Sequence, residues 1–170
     1  MPDEDITTVN PEEIAGFDKD LVEEKGEGAQ KPETSGLYSR VQEMSVAEKI
    51  KLATLGNKQA REVLIKDSNK LVAIAVIKNP RIGEDEILKV INSRNISDEI
   101  LRIIANNKEW TRNYSIKLGL VENPKTPLGI ALKLLGHLVE KDLQKLSKSK
   151  NVSNVLATTA RKMVTQKGRH

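Results

Sequence analysis

From Ser45 onward the apolar residues of this chain recur three and four positions apart, and the pattern breaks about every ten residues. That rhythm admits a string of short helices and little else. Ser45-Val-Ala-Glu48 is a capping box opening a helix with Val46, Ile50, Leu52 and Ala53 inward, ending near Gly56. Asn57 caps the next helix, Lys58–Lys66, with Ala60, Val63 and Leu64 inward. Asp67-Ser68-Asn69 caps Lys70–Lys78, which is apolar nearly all round and so expected to be buried on several sides. A strand is the rival reading of that run, but its caps and alanines favour helix.

Asn79-Pro80 stops that helix, because a residue before proline is pushed out of the helical region. Glu84-Asp85-Glu86 suits the first turn of the next, and Ser97 caps another. Helices are then expected over Thr111–Val121, from Thr126 (N-cap, with Pro127 in the first turn) through Leu138, over Lys141–Ser147 and over Ser153–Lys167. No segment reads as a convincing strand.

The helices echo one another. The stretch Lys78–Ile91 matches Glu122–Leu135 forty-four residues later, and Ile87–Ser97 matches Leu143–Ser153 at an offset of fifty-six. Self-similarity at such periods marks a solenoid, in which each unit buries its face on its neighbours; an irregular bundle is the alternative. The expected fold is therefore all-α: a short α-solenoid over residues 37–168, preceded by a disordered acidic N-terminal tail, 1–36.

Charge divides the same way. Residues 1–36 hold 11 acidic and 3 basic side chains, a net of −8, and 37–170 hold 13 acidic and 25 basic, a net of +12. The tail is rich in Pro, Gly, Glu and Thr and reads as a solvated leader, with 25–36 a linker by composition. Pro11–Phe17 with Leu21 and Val22 is apolar enough for a transient helix or docking motif, the competing reading.

The chain has no cysteine, which excludes disulfides and thiolate chemistry, and two histidines, His137 and His170, too few for a histidine metal centre. His137 reads as an ordinary helix-face residue. No glycine-rich phosphate loop is present, and the carboxylate clusters sit where helix capping accounts for them. The longest apolar run, Leu71–Ile77, is seven residues, against the roughly 20 that span a bilayer, and nothing resembles a secretory signal. A cytoplasmic protein with no cofactor and no catalytic residues is expected.

An apolar helix, Asn-Pro, a short turn and a Leu-Lys helix, as at Asn79-Pro80 and Asn123-Pro124, resembles the bacterial leucine-rich-repeat variants and, more loosely, HEAT-like α-helical repeat proteins. The resemblance covers roughly Ser45–Met163. Asn95-Ile96 and Asn151-Val152 lack the proline, and the cysteine cluster beside some variant arrays is missing, so no iron–sulfur role carries over. The resemblance implies a binding scaffold.

Two partner-binding surfaces are candidates. The echoes align Lys89, Lys133 and Lys145, with Arg102 in a similar setting, as a basic ridge for phosphates or an acidic partner; solvated positions on amphipathic helices are the plainer account. Trp110 and Tyr114, four apart and flanked by Lys108, Arg112 and Lys117, would share a helix face as a stacking surface; core packing is the plainer account. The functional expectation is a non-enzymatic scaffold for protein–protein interaction with the acidic tail as a docking or regulatory arm. The alternative is a nucleic-acid-binding module whose basic ridge the tail covers.

Overall fold

The computed structural model describes residues 11–24 and 34–168, and every regular element among them is helical. The chain divides into two compact units, residues 1–82 and 83–170. Among the described residues no helix is long and apolar enough to cross a membrane.

The first unit contains α1 (Pro11–Ile14), α2 (Lys19–Val22), α3 (Thr34–Glu43), α4 (Val46–Leu55), α5 (Lys58–Leu64) and α6 (Lys70–Ile77). The expected caps form. Ser45 Oγ accepts from the Glu48 N–H at 3.3 Å while Glu48 Oε2 accepts from the Ser45 N–H at 2.7 Å, and Asn57 and Asn69 accept from Ala60 and Leu71. Helix α4 packs on α5 and α6, and Leu52, Ala53, Ala60, Leu64 and Val72 are wholly buried between them.

Helices α4 and α6 run in the same direction. At their C-terminal ends Asn79 Nδ2 donates to the carbonyls of Ala53 and Thr54, at 2.8 and 2.9 Å. At their N-terminal ends Lys49 Nζ meets Asp67 Oδ2 at 2.9 Å. One expectation fails in a first turn: Val46, read as inward, is 43% exposed, and on the nearly all-apolar α6 the first-turn Leu71 is 61% exposed. A first-turn side chain lies at the end of its helix, where fewer neighbours can cover it.

Helix α3 begins at Thr34, so residues 34–36, expected as part of the linker, are helical. Its apolar content is slight, but Leu37 and Val41, four apart, are both buried. The leader also differs from the solvated reading where it is described. Leu21 and Val22 are 1% and 7% exposed, and α2 packs on α4 and α5. Residues 1–10, 25–33 and 169–170, including most of the expected linker and His170, lie outside the described residues.

The second unit contains α7 (Glu84–Asn92), α8 (Asp98–Asn106), a 3-10 turn η1 (Trp110–Arg112), α9 (Tyr114–Glu122), α10 (Leu128–Leu135), α11 (Glu140–Lys148) and α12 (Asn154–Lys167). Ser97 and Ser153 cap α8 and α12 as expected. Leu135, Leu138, Leu143, Leu146, Leu156 and Ala160 form the core under α10, α11 and α12.

Three boundaries move. The helix expected over Thr111–Val121 is split, because Asn107 Oδ1 accepts from the N–H groups of Glu109 and Trp110 and folds them into a turn; Asn113 then adopts an extended backbone and caps α9 through Ser115 N–H. Thr126 is not the cap of α10. Its N–H donates back to Asn123 O, the helix starts two residues later at Leu128 behind Pro127, and Thr126 Oγ1 is buried with no partner among the described residues. Helix α10 ends at Leu135, which leaves His137 exposed on the following turn and drops Leu138 into the core.

Candidate partner-binding surfaces

All nine candidate residues belong to the second unit. Lys89 on α7 and Lys133 on α10 are exposed. Arg102 Nε lies 3.5 Å from Asp98 on its own helix, Arg112 Nη1 2.8 Å from Glu109, and Lys145 Nζ 3.6 Å from Asp142. Three of the candidate cations are thus partly neutralised by carboxylates three or four residues away, which weakens the summed attraction a basic ridge needs.

Trp110 and Tyr114 do not share a helix, since η1 carries one and the first turn of α9 the other. Trp110 is half-buried, with Lys108 exposed and Lys117 half-buried. The Tyr114 ring packs on the α10–α12 core, its hydroxyl donates to Asp142 Oδ2 at 2.6 Å and accepts from the Val139 N–H at 3.1 Å. Burial pushes the Tyr114 phenol above its ordinary value, the bond to Asp142 pushes it further, and the Val139 N–H pulls the other way. This is the core-packing account, with the polar tip tied at the rim.

The most regular polar feature is one that spacing did not disclose. Asn57, Asn79 and Asn123 each follow the end of an apolar helix, are at most 8% exposed, and turn the side-chain amide onto the C-terminal carbonyls of an earlier helix. Asn79 holds Ala53 and Thr54 at the end of α4. Asn123 holds Ile91 and Ser93 at the end of α7. Asn57 holds Asp20 and Glu23 at the end of α2, at 2.7 and 2.8 Å. The terminal carbonyls of a helix have no partner within it, so each amide satisfies groups that burial would otherwise strand. Asn79 and Asn123 also accept from the N–H two residues on, of Arg81 and Lys125, so the forty-four-residue echo places the same clamp twice. At the opposite end of the clamped pair α7 and α9, Asn113 Nδ2 donates to Glu84 Oε2, as Lys49 meets Asp67 between α4 and α6. The legible signal was Asn itself, recurring after apolar helices, two of the three times before proline.

Around Asn57 the leader is held by more than one bond. The Asn57 N–H donates to Leu21 O at 2.8 Å. The Glu24 carboxylate accepts from the Lys58 N–H and from Arg61 Nη1, at 3.3 and 3.1 Å, with Arg81 Nη1 3.9 Å away. Arg61, only 3% exposed, and Arg81 also donate to Gly56 O. Arg40 pairs with Asp18 at 2.6 Å.

A cleft of about 270 Å³ in the second unit lies where α7, α9 and α11 end, walled by Asn92, Arg94, Gly119, Glu122, Asn123 and Ser149. Among the described residues no group of His, Asp and Glu is placed to hold a metal ion. No protein-family model matches the chain, and no curated protein and no solved structure matches it.

Proposed function

We propose that this chain is a non-enzymatic helical-repeat scaffold that holds protein partners, its helices stacked as units of a short α-solenoid and its acidic N-terminal segment acting as a docking arm. The observation that carries the reading is the recurring asparagine clamp, in which Asn57, Asn79 and Asn123 each bind the end of an earlier helix. Equivalent residues repeating equivalent contacts is how a stacked array differs from an irregular bundle. The same recurrence supports kinship with the HEAT-like and leucine-rich-variant arrays. A sequence without cysteine and with two histidines supports binding over catalysis.

Affinity capture from the native host, with full-length protein and with a chain lacking residues 1–36, tests the proposal. A protein partner retained by the full-length chain and reduced without the leader is the expected result. Recovery of nucleic acid alone would overturn it. The excess charge of +12 over residues 37–170 supports the second reading, nucleic-acid binding. That reading requires an electrophoretic shift that strengthens on removing the leader and weakens steeply with salt.

A further inference from the structure

We propose that the surface of α4 and α5 covered by α2 is a docking groove for short acidic helical segments of partner proteins, and that α2 is its built-in occupant. This deepens the scaffold reading, on which it rests, by naming the chemistry of the partner.

The first argument is what α2 lacks. A four-residue helix is far below the length of roughly 12–15 residues at which an isolated helix holds in water. The groove, not the segment, supplies the order. The second is the kind of contact that holds it. Two adjacent apolar side chains, Leu21 and Val22, are buried. Asn57 reads the backbone alone: its N–H takes Leu21 O, and its amide takes Asp20 O and Glu23 O. The Glu24 carboxylate is read by the Lys58 N–H and Arg61, with Arg81 beyond. Backbone carbonyls, a pair of aliphatic residues and one carboxylate can be presented by any short acidic segment. None of them depends on being joined to this chain.

The third argument is electrostatic. Arg61 is almost wholly buried and donates to the Glu24 carboxylate at 3.1 Å, and taking a carboxylate away from a buried guanidinium is costly. The groove therefore selects against neutral or basic segments as well as for acidic ones. Attachment to the body through residues 25–33 raises the local concentration of α2, on the order of millimolar for short linkers. A partner segment takes the groove when its concentration divided by its own dissociation constant exceeds the effective concentration of α2 divided by the dissociation constant of α2, which better apolar residues would favour.

The test uses full-length protein and a fluorescent synthetic peptide of residues 11–24. In the double variant Leu21→Asp, Glu24→Lys the internal occupant is disabled. This variant is expected to bind the peptide saturably and at least tenfold more tightly than the wild type, whose groove is filled. A peptide carrying Glu24→Lys is expected to bind at least tenfold more weakly than the parent peptide. No binding by a double variant that keeps the wild-type helical circular dichroism and a cooperative melt would overturn the proposal, as would equal binding by variant and wild type. Should the double variant lose its helical signal, the wild type is titrated with millimolar peptide and followed by amide NMR. Displacement of the Leu21 amide with the Asn57 side-chain amide still bound upholds the groove, and no displacement refutes it. Concentration-dependent dimerisation of the wild type through exchange of α2 would also refute it, by making a second copy the occupant. Peptide binding is read without any host protein, so it fails or succeeds independently of the affinity capture.

Discussion

Asn79 sits 3% exposed with both hydrogens of its amide directed at carbonyl oxygens, so its replacement separates two effects. Asn79→Ala leaves the Ala53 and Thr54 carbonyls buried without a donor, a loss of about 1–3 kcal/mol. Asn79→Asp keeps the shape but turns an acceptor, or a charge, toward those oxygens, and urea unfolding should show a larger loss than for alanine. A smaller loss for Asn79→Asp than for Asn79→Ala would mean that shape and not donation matters. Asp67 gives the pH dependence. Burial pushes its carboxyl up, but the hydrogen bonds from Lys49 and the Asn69 N–H, with the Lys49 charge, outweigh burial and leave it below its ordinary value. A carboxyl with a lowered folded-state pKa contributes stability above its unfolded value and loses it as pH falls through the folded one. Stability of the wild type should therefore decline below about pH 4, and Asp67→Asn should be less stable at pH 7 with a shallower acid decline. Parallel acid curves for the two proteins would remove Asp67 from the account.

At the scale of helices, α7 and α9 approach so closely that Gly119 has no room to grow: a Cβ there would fall 2.9 Å from Ile91 Cγ2, a branched methyl on a residue that is itself 1% exposed. Gly119→Ala should cost about 1–3 kcal/mol through overpacking, despite an intrinsic helix preference of about 1 kcal/mol in its favour. Gly129 on α10 is the matched control, since nothing lies within 4 Å of its Cβ position, and Gly129→Ala should be neutral or stabilising. Denaturant midpoints read at constant slope distinguish the two. The same pair shows what is legible in the residues. The caps at Ser45, Asn57, Ser97 and Ser153 were readable because donor and acceptor lie three positions apart. The bond from Asn123 to Ile91 spans 32 positions, and that from Tyr114 to Asp142 spans 28; neither has a local signature. Where local bonding competed with helix, as at Asn107, periodicity alone overran the true boundary and put Trp110 and Tyr114 on one face.

For the whole molecule the instructive case is the leader, whose composition argues for a solvated arm and whose described part is bound. Composition weighs the mean, and two residues, Leu21 and Val22, carry the attachment within a segment of strongly acidic character. The division of charge, −8 against +12, invites an electrostatic explanation. The Asp18–Arg40 pair is exposed on both sides and such pairs contribute about 0–1 kcal/mol, whereas the Glu24 contact with nearly buried Arg61 adds a charged anchor beside the apolar one. Burial of a leucine side chain is worth about 1.5–3 kcal/mol, and the three bonds made by Asn57 to α2 are between uncharged groups. The leader should therefore be held mainly by contacts that salt does not screen. Leu21→Asp in the full-length chain should cost about 2 kcal/mol or more in urea unfolding, against at most about 0.5 kcal/mol for Ala15→Asp, whose site is exposed. The loss should persist in 1 M salt, where the screening length is about 3 Å. Were the Leu21→Asp deficit to vanish at high salt, charge and not the aliphatic pair would be holding the segment.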